Sequence, residues 1–200
     1  MIADYQQIIE FHGHSCPGLA MGYRMAAAAL DVLDKTRAKD EELVAIVEND
    51  ACGVDALQCL SGCTFGKGNL LFRDYGKQVY TVYSRISRKG VRVSFKVQDI
   101  PQALRDNRER FTQWLLSAPQ AKILTIETVQ IPDPEPARIL DSRICESCGE
   151  GVMETRTRQV DGKCICIPCA AKKRDQINSK KNEKRTAQPK RRKKPKDLVD

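Results

Sequence analysis

The 200-residue chain has no run approaching the roughly 20 uninterrupted apolar residues of a membrane helix, because its best candidate, 20–33, is broken by Arg24 and Asp31. No membrane partner is therefore expected. The first ten residues carry Asp4 and Glu10 and lack the basic start and apolar middle of a secretory signal, so a cytoplasmic location is expected. Histidine is scarce, with 2 in the whole chain, and no internal repeat is visible. Hydrophobic residues make up 41%, which is enough for a buried core and excludes a wholly disordered chain. The 9 cysteines are odd in number and include two CxxC pairs, a pattern that suits metal or thiol chemistry in a reducing compartment better than a disulfide framework.

The net charge of +8 suggests nucleic-acid binding until it is divided along the chain. Residues 171–200 hold 13 Lys+Arg against 4 Asp+Glu, net +9, and the remainder nets −1. The basicity belongs to a tail, read here as a solvated, disordered extension over 172–200. Its alternative role is weak, strongly salt-dependent nucleic-acid binding, without an aromatic residue for base stacking.

Hydrophobic periodicity predicts a helix from Pro17 to about Lys35, with Pro at a favourable first position. A buried strand, LVAIVE, follows and ends at the polar turn of Asn49 and Asp50. CGVDALQCLSG reads as a shorter helix closed by Gly62. The segments QVYTVYSRI and VRVSFKV read as a hairpin, 101–117 as a helix, and KILTIETVQI as a further strand. The predicted fold is α+β: a mixed core over 1–131 with an antiparallel sheet and helices. A Pro-rich linker over 132–142, a small four-cysteine zinc-finger domain over 143–171 and the tail complete it.

Cys145 and Cys148 form one CxxC knuckle, and Cys166 and Cys169 form a second after 17 residues, a spacing that suits four thiolates around tetrahedral zinc. A segment this short has too little apolar surface to fold alone, so the metal is expected to be structural. Cys164 in CICIPC is the alternative to Cys166 as fourth ligand, and a redox dithiol is the alternative chemistry. RICESCG with the IPC-containing second knuckle resembles the DksA/TraR type of zinc finger.

Both histidines fall in FHGHSCPG, immediately before the first predicted helix. Cys16 stands at the N-cap, where unpaired amides favour a thiolate, and His14 can present an imidazole to the same point. In the second helix, Cys52, Asp55, Cys59 and Cys63 lie within roughly 80° of one another on one face. The loop GCTFGKGN fails as a phosphate-binding P-loop: three residues rather than four separate Gly62 from Gly66, Gly68 follows the lysine, and a helix precedes it. Lys67 remains as a candidate for anion contact or as a solvated loop lysine.

FHGHSCPG together with NDACGVDALQCLSGCTFGKGNL closely resembles the formylmethanofuran dehydrogenase E-subunit family, over about residues 5–130. The resemblance implies an α+β core, commonly dimeric, with a metal pocket built by the His-Cys motif and the cysteine-bearing helix. Carried over, His14, Cys16 and Cys59 become the expected core ligands, with Cys52, Asp55 and Cys63 lining the pocket. The expected metals are zinc in the finger and a second transition metal, zinc by preference, in the core. Asp55, His12 and Lys67 are the candidates for catalytic groups, and His12 is alternatively a partner that orients His14.

Formylmethanofuran chemistry belongs to molybdenum or tungsten enzymes with iron-sulfur subunits, whose ligand motifs this chain lacks. The reading that follows is an accessory or redox role in one-carbon or energy metabolism, and it carries the expectation of a homodimer and of an oxidoreductase partner. The alternative is a zinc-finger binding protein that contacts nucleic acid or an acidic partner through finger and tail.

Overall fold

Asp4 and Gln7 close a reciprocal capping box, the Asp4 carboxylate accepting from the Gln7 N–H at 2.9 Å and the Gln7 side chain accepting from the Asp4 N–H at 3.0 Å. That cap starts α1 (Tyr5–His12) in the computed structural model of the chain. The structure describes residues 4–186 apart from Thr36 and Arg105. The chain folds as two units that divide between Arg138 and Ile139.

In the first unit Pro17 opens α2 (Pro17–Val32), whose Leu19, Ala20, Met25, Ala26, Ala29 and Leu30 are buried. The strands are β1 (Leu43–Val47), β2 (Leu70–Phe72), β3 (Val79–Ser84), β4 (Lys89–Phe95) and β5 (Leu124–Val129). They form one sheet in the order β2-β1-β3-β4-β5. The pair β1–β2 is parallel and the others antiparallel, so the sheet is mixed. The parallel pair needs a crossover, and α3 (Gly53–Ser61) supplies it.

Every residue of β1 and β3 is buried, which requires cover on both faces of the sheet. On one face Leu43, Ala45, Val47, Tyr80 and Val82 join the core beneath α2 and α3. On the other runs the Pro-rich segment. Arg85 donates to the carbonyls of Pro134 at 2.6 Å and Glu135 at 3.1 Å, Tyr83 bonds Asp133, and the Ala137 N–H donates to Glu41 at 3.2 Å. This part of the expected linker is therefore a strap that belongs to the first unit, because its carbonyls find fixed donors on the sheet.

Two elements start later than their sequence patterns suggest. The helix expected over 101–117 begins at Arg108 as α4 (Arg108–Ser117), where the Asn107 side chain caps the Arg110 N–H at 2.9 Å. The strand expected from Lys122 is preceded by one helical turn, α5 (Gln120–Ile123). Arg24 donates to the carbonyls of Leu115 and Ala118, at 2.5 and 2.8 Å, and so fixes the end of α4 on α2.

The second unit consists of two hairpins and a helix. Strands β6 (Ser142–Ile144) and β7 (Gly151–Met153) pair, as do β8 (Thr157–Val160) and β9 (Lys163–Cys166). Asp161 and Gly162, at φ 52° and 76°, make the tight turn between the latter pair. Among the described residues the buried ones of this unit are Cys145, Ile165 and Cys166, far too little apolar area for independent stability. Helix α6 (Ile167–Thr186) then extends through residues expected to be unstructured, so 172–186 is helical. The basic run 189–196 lies outside the described residues.

Candidate metal centres

Gly13 ends α1 in the left-handed region at φ 96°, a conformation open to glycine at little cost, and its N–H donates to the Ile9 carbonyl at 2.7 Å. The reversal leaves His12 as the last residue of α1 and turns His14 back beside it, with ring centroids 4.5 Å apart. Cys16 follows as the N-cap of α2, its sulfur accepting from the Leu19 N–H at 3.3 Å.

Helix α3 brings the fourth group. Gly22 and Gly53 let α2 and α3 approach so closely that a Cβ at Gly22 would stand 2.2 Å from the Gly53 carbonyl oxygen. This crossing sets Cys52, at the start of α3, against Cys16, at the start of α2. One ligand atom from each of His12, His14, Cys16 and Cys52 lies within 4.8 Å of the others. Two imidazoles and two thiols form a donor set suited to zinc and its neighbours.

The orientation of His12 is fixed from behind. Its Nδ1 stands 2.6 Å from Asp55 Oδ2, and the Gln58 side chain donates to the other Asp55 oxygen at 3.2 Å. An imidazole whose Nδ1–H donates to a carboxylate keeps its lone pair at Nε2. In this structure His12 Nε2 is buried and has no hydrogen-bond partner among the described residues. A buried nitrogen without a partner is costly, and a metal beside it removes that cost. Burial, with the neighbouring Cys16 thiol, pushes the Cys52 thiol up. Two sulfurs this close resist joint ionisation unless a cation lies between them.

Three of the expected site residues stand apart from this cluster. Cys59, expected as a core ligand, shares the helical face of Cys52 but lies two turns along α3, roughly 10 Å away along the axis, and is outside the cluster. Cys63 follows the left-handed cap Gly62 and is buried in the core, where burial pushes its thiol up. Lys67 donates from Nζ to the Asp40 carbonyl at 2.9 Å, so it fastens its loop. His12 and Cys52, read as a helper and a pocket residue, stand in the cluster, while Asp55 buttresses His12. Tyr80 was legible only as a strand residue. Its hydroxyl is buried against Gly53 without a partner among the described residues, and burial, then the charges of Asp55 and Cys52, hold it in the phenol form.

A cavity of about 440 Å³ opens beside the cluster at the carboxyl ends of the parallel strands. His12, Cys52 and Asp55 form part of its wall, and Val47, Leu70 and Phe72 part of its lining. Crevices at such strand ends are the usual ligand position in open sheets with a parallel crossover.

In the second unit Cys145, Cys148, Cys166 and Cys169 bring their sulfurs within 4.8 Å of one another. Cys164 is not among them. It faces Gln159 across the hairpin, and its N–H donates to Glu146 at 2.5 Å. The N–H groups of Cys148 and Cys166 hold the Cys145 thiol down at about 6, and the Cys166 N–H lies 3.2 Å from that sulfur. At Cys148 the Glu150 N–H lowers the thiol, but the sulfurs of Cys145, Cys169 and Cys166 help push it up to about 12. Four such groups ionise together only around a cation.

Residues 11–126 match the family model described as FmdE, molybdenum formylmethanofuran dehydrogenase operon, and residues 139–174 match the prokaryotic dksA/traR C4-type zinc finger. A probable S-adenosyl-L-methionine-binding protein of Archaeoglobus fulgidus is 32% identical over 190 residues, which cover 80% of this chain and 50% of that protein. The chain thus spans about half the length of that relative. The crystal structure of an FmdE-like protein of the tungsten formylmethanofuran dehydrogenase type, from Syntrophus aciditrophicus, superposes with a TM-score of 0.63 at 23% identity, over 84% of this chain and 92% of that one. At that identity the likeness is one of fold.

Proposed function

The chain belongs to the FmdE family, and on that premise we propose that it is an accessory protein of one-carbon or energy metabolism with two metal centres. His12, His14, Cys16 and Cys52 would hold a transition metal, zinc by the mixture of imidazole and thiolate donors. Cys145, Cys148, Cys166 and Cys169 would hold a structural zinc. The observation that carries the core assignment is the buried, unpartnered Nε2 of His12, aligned from behind by Asp55. When bound, such a metal supplies Lewis acidity. Four side-chain donors make a closed shell, which favours structural or ligand-positioning work over hydrolysis. The Archaeoglobus relative, of which this chain spans about half, is described as a probable S-adenosyl-L-methionine-binding protein, a description in keeping with a one-carbon role.

The working form is a homodimer in the cytoplasm, beside an oxidoreductase partner that does the redox chemistry. Among the described residues no helix is long and apolar enough to cross a membrane. Elemental analysis of anaerobically purified protein tests the core centre. Wild type should hold about two metals per chain and a Cys16→Ala, Cys52→Ala variant about one; equal contents would remove the core centre.

One observation favours a second reading. In the finger unit, Val160, Ile167, Ala171 and Ile177 floor a groove of about 570 Å³ with Arg158 and Arg174 in its lining. That combination suits an acidic partner bearing apolar side chains. Loss of pull-down of an acidic protein on Arg174→Glu, with metal content unchanged, is the result this reading requires.

A further inference from the structure

The cavity beside the core cluster combines features that the metal centre does not use. Phe65 and Phe72, 74% and 45% exposed, stand in its lining, and Leu70 lies below Phe72 on the same side of β2. Large rings left in water beside an apolar floor lose hydration cost when a flat partner covers them. The volume of about 440 Å³ falls within the range of roughly 300–1,000 Å³ typical of small-molecule sites.

The polar part of the lining has one sign. Asp50 and Asp55 contribute carboxylates and Gln58 an amide, while no lysine or arginine lines the cavity among the described residues. The alternation of β2 explains this, since Leu71 and Arg73 line the cavity on the opposite face of the sheet. Asp50 is exposed and makes no side-chain hydrogen bond or ion pair among the described residues, so its two oxygens remain available as acceptors. A ligand for this lining needs a planar ring for the phenyls, hydroxyl or amino donors for Asp50 and Gln58, and no negative charge.

We propose that the cavity walled by Phe65, Phe72 and Asp50 binds a nucleoside, its base against the two phenyl rings and its ribose hydroxyls donating to Asp50. Phosphorylated forms are disfavoured by the carboxylates. The proposal deepens the reading of the core centre and rests on it, because metal-held His12 and Cys52 form the fixed inner wall.

The test is calorimetric titration of the full-length, metal-replete chain with adenosine, guanosine, cytidine and uridine, then with the 5′-monophosphate and the 5′-amino-5′-deoxy form of the best binder. Metal content is measured on the same samples. At least one nucleoside should bind, its monophosphate about tenfold or more weakly and its cationic amino form more tightly. Asp50→Asn should narrow those differences, and Phe65→Ala should weaken every nucleoside about tenfold. Both side chains are exposed, so neither variant should disturb folding.

No binding by any nucleoside while the core metal is present overturns the cavity assignment and leaves the metal reading intact. Monophosphate binding equal to nucleoside binding also overturns it. So does a Phe65→Ala variant that changes oligomeric state in sedimentation without changing affinity, since the phenyls would then serve an interface. Absence of the core metal overturns the metal reading and this proposal together.

Discussion

His12 Nδ1 and Asp55 Oδ2, 43 positions apart in sequence, meet at 2.6 Å and join the last residue of α1 to the first turn of α3. The contact places a carboxylate behind a histidine that shares one cluster with the thiols of two separate helix starts. A residue that buttresses a ligand in this way acts on affinity without touching the metal.

Asp55→Asn should therefore leave the fold intact and weaken the core metal by about 10–100-fold. Competition with a graded series of chelators measures this, and the finger metal serves as internal reference. An unchanged core affinity would show that the carboxylate is ornamental to the centre.

Among the cysteines of α3 and its flanks, Cys52→Ala should remove about one metal equivalent per chain, while Cys59→Ala and Cys63→Ala should remove none. Elemental analysis of the three variants side by side decides between the cluster seen here and the ligand set implied by family resemblance. Metal loss in Cys59→Ala alone would reverse the assignment.

Gly22→Ala is expected to destabilise the first unit by about 3 kcal/mol, at the upper end of overpacking costs, because the added methyl meets Gly53 backbone atoms. Since the same crossing sets Cys52 against Cys16, core metal should be lost at a lower denaturant concentration than the helical signal. Wild-type stability in this variant would contradict the close crossing.

The core should also weaken in alkali through Cys63, whose buried thiol is held above its ordinary value of 9.0. The unfolded chain gives up that proton first, so this contribution is complete below about pH 9 and is lost as pH rises further. Urea midpoints between pH 8 and 10.5 should fall less steeply in Cys63→Ala than in wild type. Parallel curves would assign the alkaline loss to other groups.

Chelation should unfold the second unit selectively. With Cys145, Ile165 and Cys166 as its buried residues, the finger has little to hold it once the metal leaves. Amide resonances of 142–169 should collapse on chelator addition while those of β1 and β3 persist. Retained dispersion in the finger would mean that a disulfide or an unsuspected apolar contact holds it.

Much of this was legible in the residues. The CxxC pairs pointed to the finger ligands because their spacing is local, though they left Cys164 open beside Cys166, and the runs of α2, β1, β3 and β4 announced themselves by period. The core ligand set was only half legible. Cys16 and His14 share one corner, but choosing between Cys52 and Cys59 required the axial offset of α3 against α2. That offset is set by a glycine contact rather than by any periodicity. His12 looked like a helper because α1 went unread, although the Asp4 and Gln7 pair of its capping box was present. Phe65 and Phe72 became informative only when the parallel β1–β2 pairing set both beside Asp50.

The strap over the second face of the sheet changes where the core ends. Prolines that read as a tether between modules act as a seal over the sheet, held by Arg85, Tyr83 and Glu41. A core cut at residue 131 would lay bare a twisted face bearing Val44, Ile46, Thr81 and Tyr83, an adhesive surface that would pair one molecule with another. Any dimer found in such a fragment would belong to the scissors, and the smallest faithful core runs to Arg138.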